Sequence, residues 1–351
     1  MGSVDEALEE ERKSVYGVAF RAEDAKIYVP GSDFINEHKG RITVKDGVLT
    51  VDGISHPIAN AALEQSTRPE RLIDNPKLVA CDRSMLTAFN QNRIVVLEGP
   101  PGGGKTDAPI DLFNRMGLES YLFSSHDRVH ISDFIGEFTQ DETGNFILTS
   151  LPDHDGHFRI PFLEMFTHGG GYVIDEGAIG QRAEELIAWL GPIAAGEQTL
   201  ALQEHPGAEV QVLRRNPDFH IVITTNPYRD TPGREQIPFE VLQYAQKIWV
   251  RKHYTKSDLQ RILRNNMGAF LEQLHLTVGD EEKFLVRMID FHNLIEKQIG
   301  RTLGAHHTER FYIGIRELNR WADDIARIYS AAERPNLEFA FVEGLMQNYN
   351  I

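Results

Sequence analysis

Apolar and polar positions obey three different rules along the chain. In residues 41–53, RITVKDGVLTVDG, apolar and polar residues alternate around Asp46-Gly47 and Asp52-Gly53. Alternation broken by Asp-Gly predicts hairpins. Residues 1–75 are therefore read as a mixed segment, with a charged helical start over residues 4–13 and a small β-rich element after it. From 76 to 254 the rule changes. Short apolar runs are each followed by a turn and a helical stretch: RIVVLEG (93–99), SYLFSS (120–125), GYVIDEG (171–177), FHIVITTN (219–226) and KIWV (247–250). Strands alternating with helices predict an α/β core, a parallel sheet flanked by helices on both faces. Leu186, Ile187 and Leu190 are assigned to one of those helices. Residues 255–351 carry apolar residues at helical spacing, with Thr255 and Ser257 as candidate N-caps for DLQRILRNNM. They are read as an α-helical lid. The chain stops inside a helical pattern, EFAFVEGLMQNYNI, without a closing signal, which predicts that the natural protein continues. Trp189, Trp249 and Trp321 lie in apolar patterns and are expected in the core.

Three of the predicted strands end in polar residues, and in an open parallel sheet the strand ends are where ligands sit. After the first comes LEGPPGGGKTD. Gly99-x-x-x-x-Gly104-Lys105-Thr106 matches the P-loop pattern in its strand-loop-helix setting. Gly99, Pro100, Pro101, Gly102, Gly103, Gly104, Lys105, Thr106 and Asp107 form the candidate phosphate cradle. Glycines let backbone N–H groups face phosphate oxygens, and the helix that follows adds its positive end. Lys105 reaches the β- and γ-phosphates, and the Thr106 hydroxyl ligates Mg²⁺. YVIDE delivers two carboxylates: Asp175 to hold Mg²⁺ through water, Glu176 to polarise the attacking water. Asn226, fixed by Pro227, can orient that water and contact the γ-phosphate. The chemistry predicted is binding and hydrolysis of a nucleoside triphosphate with Mg²⁺.

Composition narrows the partners. The chain has 351 residues, 41% hydrophobic and 25% charged, enough for a real core, and no apolar run approaches the length of a membrane span. Net charge is −16 with no Lys/Arg block, which argues against a nucleic-acid backbone as partner. Cys81 is the sole cysteine, so no internal disulfide forms and a reducing compartment, the cytoplasm, is expected. His154, Asp155 and His157 in PDHDGH read as a polar turn rather than a metal site, and His306-His307 likewise.

The order of these motifs resembles the AAA+ ATPases, and VVLEGPPGGGKT (95–106), SSHDRVHISDFIGEF (124–138) and NPDFHIVITTNPYRDTPGREQIP (216–238) are similar to the branch containing midasin, dynein and the MoxR chaperones. The resemblance covers roughly residues 76–330. It implies a lid arginine that contacts the γ-phosphate, matched by Arg316, and an inserted hairpin over residues 136–152 facing the pore of a ring. It also implies neighbouring modules of the same kind, a protein substrate, and adenine as the base. Two positions depart from it. Ala178 and Ile179 stand where the branch carries Asn and Arg, and Tyr244 occupies the place of the arginine that completes a neighbour's site. Such a finger is worth ~10³–10⁵ in rate. Unless Arg229, Arg234 or Arg251 substitutes, unlike neighbours or tandem modules are expected. Two other readings stay open: a scaffold that holds nucleotide without turnover, and a MoxR-type chaperone for metal or cofactor insertion.

Overall fold

The structure, a computed structural model, describes residues 42–60, 76–124, 132–136, 138–140, 146–148, 156–158, 160–177, 190–202, 211–227, 237, 239–250, 254–298, 314–332 and 335–349. The charged start at 4–13 lies outside them.

The alternating stretch forms a three-stranded antiparallel meander of β1 (Ile42–Lys45), β2 (Val48–Val51) and β3 (Ile54–Pro57). Asp46 and Gly47 have φ of 52° and 72°, Asp52 and Gly53 of 43° and 80°. Two successive positive φ values are what a two-residue hairpin needs to match strand twist. The meander is not isolated. Leu49 and Val51 are fully buried in one cluster with α1 (Pro76–Phe89) and the central sheet.

The central elements follow in order: β4 (Val95–Glu98), α2 (Asp107–Arg115), β5 (Ser120–Ser124), α3 (Ser132–Ile135), β6 (Phe138–Gln140), β7 (Phe146–Leu148), α4 (Pro161–His168), β8 (Gly170–Asp175), α5 (Gly191–Ala194), β9 (Thr199–Leu202), β10 (Gln211–Arg214), β11 (Phe219–Thr225), α6 (Phe239–Leu242) and β12 (Gln246–Trp249). Five of these strands make a sheet ordered β12-β4-β11-β8-β5, and every neighbouring pair is parallel. Period-2 alternation divides its residues between two cores. Val95, Leu97, Val173 and Val222 face α1 and α2, while Val96, Tyr172, Ile174, Ile221 and Ile223 face α4. Burial on both faces explains why the central strands read as continuous apolar runs. Because all five strands run the same way, Glu98, Ser124, Asp175, Thr225 and Trp249 end along one edge.

The hairpin expected within 136–152 is present as the antiparallel pair β6–β7. A second pair, β9–β10, was not expected. Leu190 is buried at the start of α5, whereas Leu186, Ile187 and Trp189 lie outside the described residues. The tryptophan expectation needs correcting at one position. Trp321 is fully buried, but Trp249 is 38% exposed, because β12 is an edge strand and has a neighbour on one side only.

The C-terminal helices are α7 (Lys256–Gln273), α8 (Val278–Gln298), α9 (Ile315–Ala331) and α10 (Leu337–Tyr349). Thr255 is the residue that caps α7. Its hydroxyl accepts from the Asp258 N–H and the Asp258 carboxylate accepts from the Thr255 N–H, a reciprocal box that satisfies two orphan donors. These helices bury their own cluster around Trp321, whose Nε1 donates to the Phe341 carbonyl at 3.0 Å. No described helix is long and apolar enough to cross a membrane.

Candidate functional site

The loop between β4 and α2 is fixed from below by backbone. Gly99 donates its N–H to the Thr225 carbonyl at 3.2 Å, and a Cβ built on Gly99 would lie 2.2 Å from the Val250 carbonyl oxygen. No side chain fits there. Gly102 and Gly104 have φ of 74° and 77°, the left-handed region that turns the loop back on itself.

The side chains at this edge bond to one another. Lys105 is 8% exposed, and its Nζ donates to the Pro100 carbonyl and to Asn226 Oδ1, both at 2.8 Å. A buried ammonium must be paired or hydrogen-bonded. Here it is held by its own loop and by the tip of β11. Thr106 stands at the N-cap of α2 but makes no side-chain cap. Its hydroxyl donates instead to Asp175 Oδ1 at 2.7 Å, at the tip of β8. The same carboxylate oxygen accepts from Thr224 Oγ1 at 2.5 Å.

Thr224 was not anticipated as a site residue. Its hydroxyl also accepts the Glu176 N–H at 3.1 Å, and its carbonyl accepts the Gly177 N–H at 3.0 Å, so it fixes both carboxylate-bearing residues from the neighbouring strand. Glu176 has φ +56°. A non-glycine residue in that region stores about 1–2 kcal/mol of strain, and such outliers gather where surrounding structure over-determines them. A polar threonine in the buried run FHIVITTN was the available signal.

The C-terminal helices close over the same loop. A Cβ on Gly102 would lie 3.6 Å from Gly314 Cα and 3.8 Å from Ile315 N, so α9 begins against the loop. Glu317 turns back to accept the Gly314 N–H at 2.8 Å. Arg316, one residue into α9, is exposed. Partial burial raises the Asp107 carboxyl above its ordinary range. The Arg316 charge opposes that rise and Asp175 adds to it. Tyr254, just before α7, donates its hydroxyl to the Gly103 carbonyl at 3.4 Å, and Lys77 Nζ donates to the same carbonyl at 3.3 Å. Lys77 also lies 4.2 Å from the centre of the Tyr254 ring. Burial, with the Lys105 charge adding to it, lowers the Lys77 ammonium to about 8. Tyr254 and Lys77 were missed because neither sits in a motif.

Lys105, Thr106, Asp175 and Asn226 are thus linked by hydrogen bonds, with Glu176 next in chain to Asp175 and Arg316 felt at Asp107. Tyr244 sits 43% exposed in the turn before β12. Ala178, Ile179, Arg229, Arg234, Arg251, His154, Asp155, His306 and His307 lie outside the described residues.

A five-stranded parallel sheet flanked by helices, followed by a helical C-terminal region, is consistent with the core of an AAA+ ATPase. No family model matches the chain. The chain is similar to midasin of Giardia intestinalis, at 22% identity over 290 residues. That alignment takes in 81% of this chain and 6% of the relative, so this chain spans a small fraction of that protein's length.

Proposed function

We propose that this chain is an ATP-binding and ATP-hydrolysing AAA+ module that acts within a ring to remodel or pull on protein complexes. The observation that carries it is the convergence of Lys105 on Asn226 and of Thr106 on Asp175 at one sheet edge. In this reading the loop Gly99–Asp107 is the phosphate cradle, and Lys105 exchanges its Pro100 and Asn226 partners for phosphate oxygens. A hydroxyl and a carboxylate sharing one hydrogen bond are the all-oxygen donor set that suits Mg²⁺. When bound, Mg²⁺ would neutralise charge that builds on the phosphate oxygens. Thr106 would hold it directly and Asp175 through water. Glu176 takes the proton of the attacking water, and Asn226 fixes that water's position. Arg316 meets the γ-phosphate, so that the angle of the C-terminal lid reports the nucleotide state. The domain organisation that goes with this reading is residues 76–254 as the ATPase core and 255–351 as the lid.

The exposed Tyr244 favours a second reading, a scaffold that binds ATP and does not turn it over, because tyrosine cannot lend positive charge to a neighbour's site. Phosphate release separates the two. Measured alone and with candidate neighbouring modules, the first reading predicts release that Glu176→Gln lowers by ~10²–10⁴ while ATP binding persists. It further predicts faster release from self-assembled Tyr244→Arg protein. No release by the wild-type chain or by Tyr244→Arg, with any neighbour, would leave the scaffold.

A further inference from the structure

At the other end of β8, far from the proposed ATP site, three side chains meet. His157 comes from the segment after the β6–β7 hairpin, and Glu164 and His168 lie one turn apart on α4. Their ligand atoms all fall within 4.8 Å of one another. His157 Nδ1 lies 2.8 Å from Glu164 Oε1, and His168 Nδ1 lies 3.4 Å from Glu164 Oε2. The two imidazole centres are 5.3 Å apart. The geometry points to a divalent transition-metal site, of the Zn²⁺ class, formed by His157, Glu164 and His168.

Three observations support it. Donor atoms around a tetrahedral ion at ~2.0–2.1 Å are ~3.3 Å apart, and each histidine already lies near that separation from one of the two Glu164 carboxylate oxygens, His157 from Oε1 and His168 from Oε2. Two imidazoles and a carboxylate suit Zn²⁺-like ions, whereas Mg²⁺ and Ca²⁺ prefer all-oxygen sets. Glu164 is already oriented, because its Oε2 accepts the Phe158 N–H at 2.6 Å.

His157 is 63% and His168 43% exposed, so an ion has access and solvent supplies the fourth position. Six residues of β8, on the order of 20 Å, separate this cluster from Asp175. An ion here would tie the segment following the hairpin to α4, which packs directly on the sheet. The sequence alone grouped His157 with His154 and Asp155. The structure brings His157 to a carboxylate and an imidazole seven and eleven positions on, while His154 and Asp155 lie outside the described residues.

The test uses the full chain with saturating Mg²⁺, so that oxygen-rich sites are occupied. Co²⁺ titration followed by visible absorption, and Zn²⁺ titration followed by thermal unfolding, should each show one saturable site that raises the melting temperature. The His157→Ala/His168→Ala double variant should lose both responses, and His154→Ala should keep them. If the double variant does not fold, Glu164→Gln serves, with an altered Co²⁺ spectrum and at least tenfold weaker binding expected. Absence of a saturable response in the wild type, or a response equal to wild type in the His157→Ala/His168→Ala or Glu164→Gln variant, overturns the site. Because the readouts are metal binding and melting, they are independent of ATP turnover.

Discussion

The sheet edge and the C-terminal helices approach the glycine loop in different ways. From the sheet side the loop is met by charged and polar side chains that bond one another: Lys105 to Asn226, Thr106 and Thr224 to Asp175. From the helical side it is met by backbone, Gly314 and Ile315 against Gly102, and by the tip of Tyr254. Arg316, the cation assigned to that side, is exposed. One half of the site is organised in advance, whereas the other half is positioned and would be completed by the ligand. In the proposed ATPase, sheet-side groups should therefore set affinity and chemistry, and helix-side groups should set how turnover is coupled to lid geometry.

That contrast can be broken most severely at Lys105. Lys105→Ala removes the ammonium that would exchange its two present bonds for phosphate oxygens, worth about 1.5–3 kcal/mol each, and calorimetry should show ATP affinity down by ~10²–10⁴. Arg316→Ala tests the other half. Turnover should fall by about 10–100-fold, the worth of one charged contact, with the melting temperature unmoved because the side chain is exposed. A fall in affinity as deep as that of Lys105→Ala would abolish the distinction. Thr224→Val keeps the shape of β11 but removes one of the two hydroxyls that donate to Asp175 Oδ1 and the hydroxyl that accepts the Glu176 N–H. Loss of about 1–3 kcal/mol of stability by denaturant unfolding, with slower phosphate release, is expected.

A separate effect, on stability alone, lies at the buried start of β11. His220 stacks 4.4 Å from Phe89, and its two ring nitrogens have no hydrogen-bond partner among the described residues. Burial, with smaller contributions from His56 and Arg215, lowers its pKa to about 3. Since the folded value lies below the ordinary 6.5, the unfolded chain binds more protons between those values. Stability from neutral His220 is complete above pH ~6.5 and is lost as pH falls toward 3, by at most about 1.4 kcal/mol per pH unit. His220→Phe should flatten that acid limb in unfolding curves measured from pH 7 to 4, and leave ATP binding unchanged.

Much of the sheet was legible because both of its faces are buried. Apolar runs bounded by turns located all five parallel strands, and their polar tips located Lys105, Asp175 and Asn226. Their bonding to each other was not legible, since it depends on the strand order. The β9–β10 hairpin was overlooked although Pro206-Gly207 separates two alternating runs, TLAL and QVLR. Trp249 was misplaced because an apolar pattern does not say which strand is at the edge. Thr224 left only the signal of a polar residue in a buried run, whereas Tyr254 and Lys77 act through a ring and an ammonium brought in from elsewhere in the chain, of which local spacing carries no trace.

The backbone at Glu176 has a consequence for how variants of this protein would be selected. Glycine accepts φ +56° without strain, so a screen scored on heat resistance should enrich Glu176→Gly. A screen scored on phosphate release should discard the same substitution, because it deletes the proposed base. One codon would then record two opposed pressures, and a library sorted both ways would show them as enrichments of opposite sign at position 176.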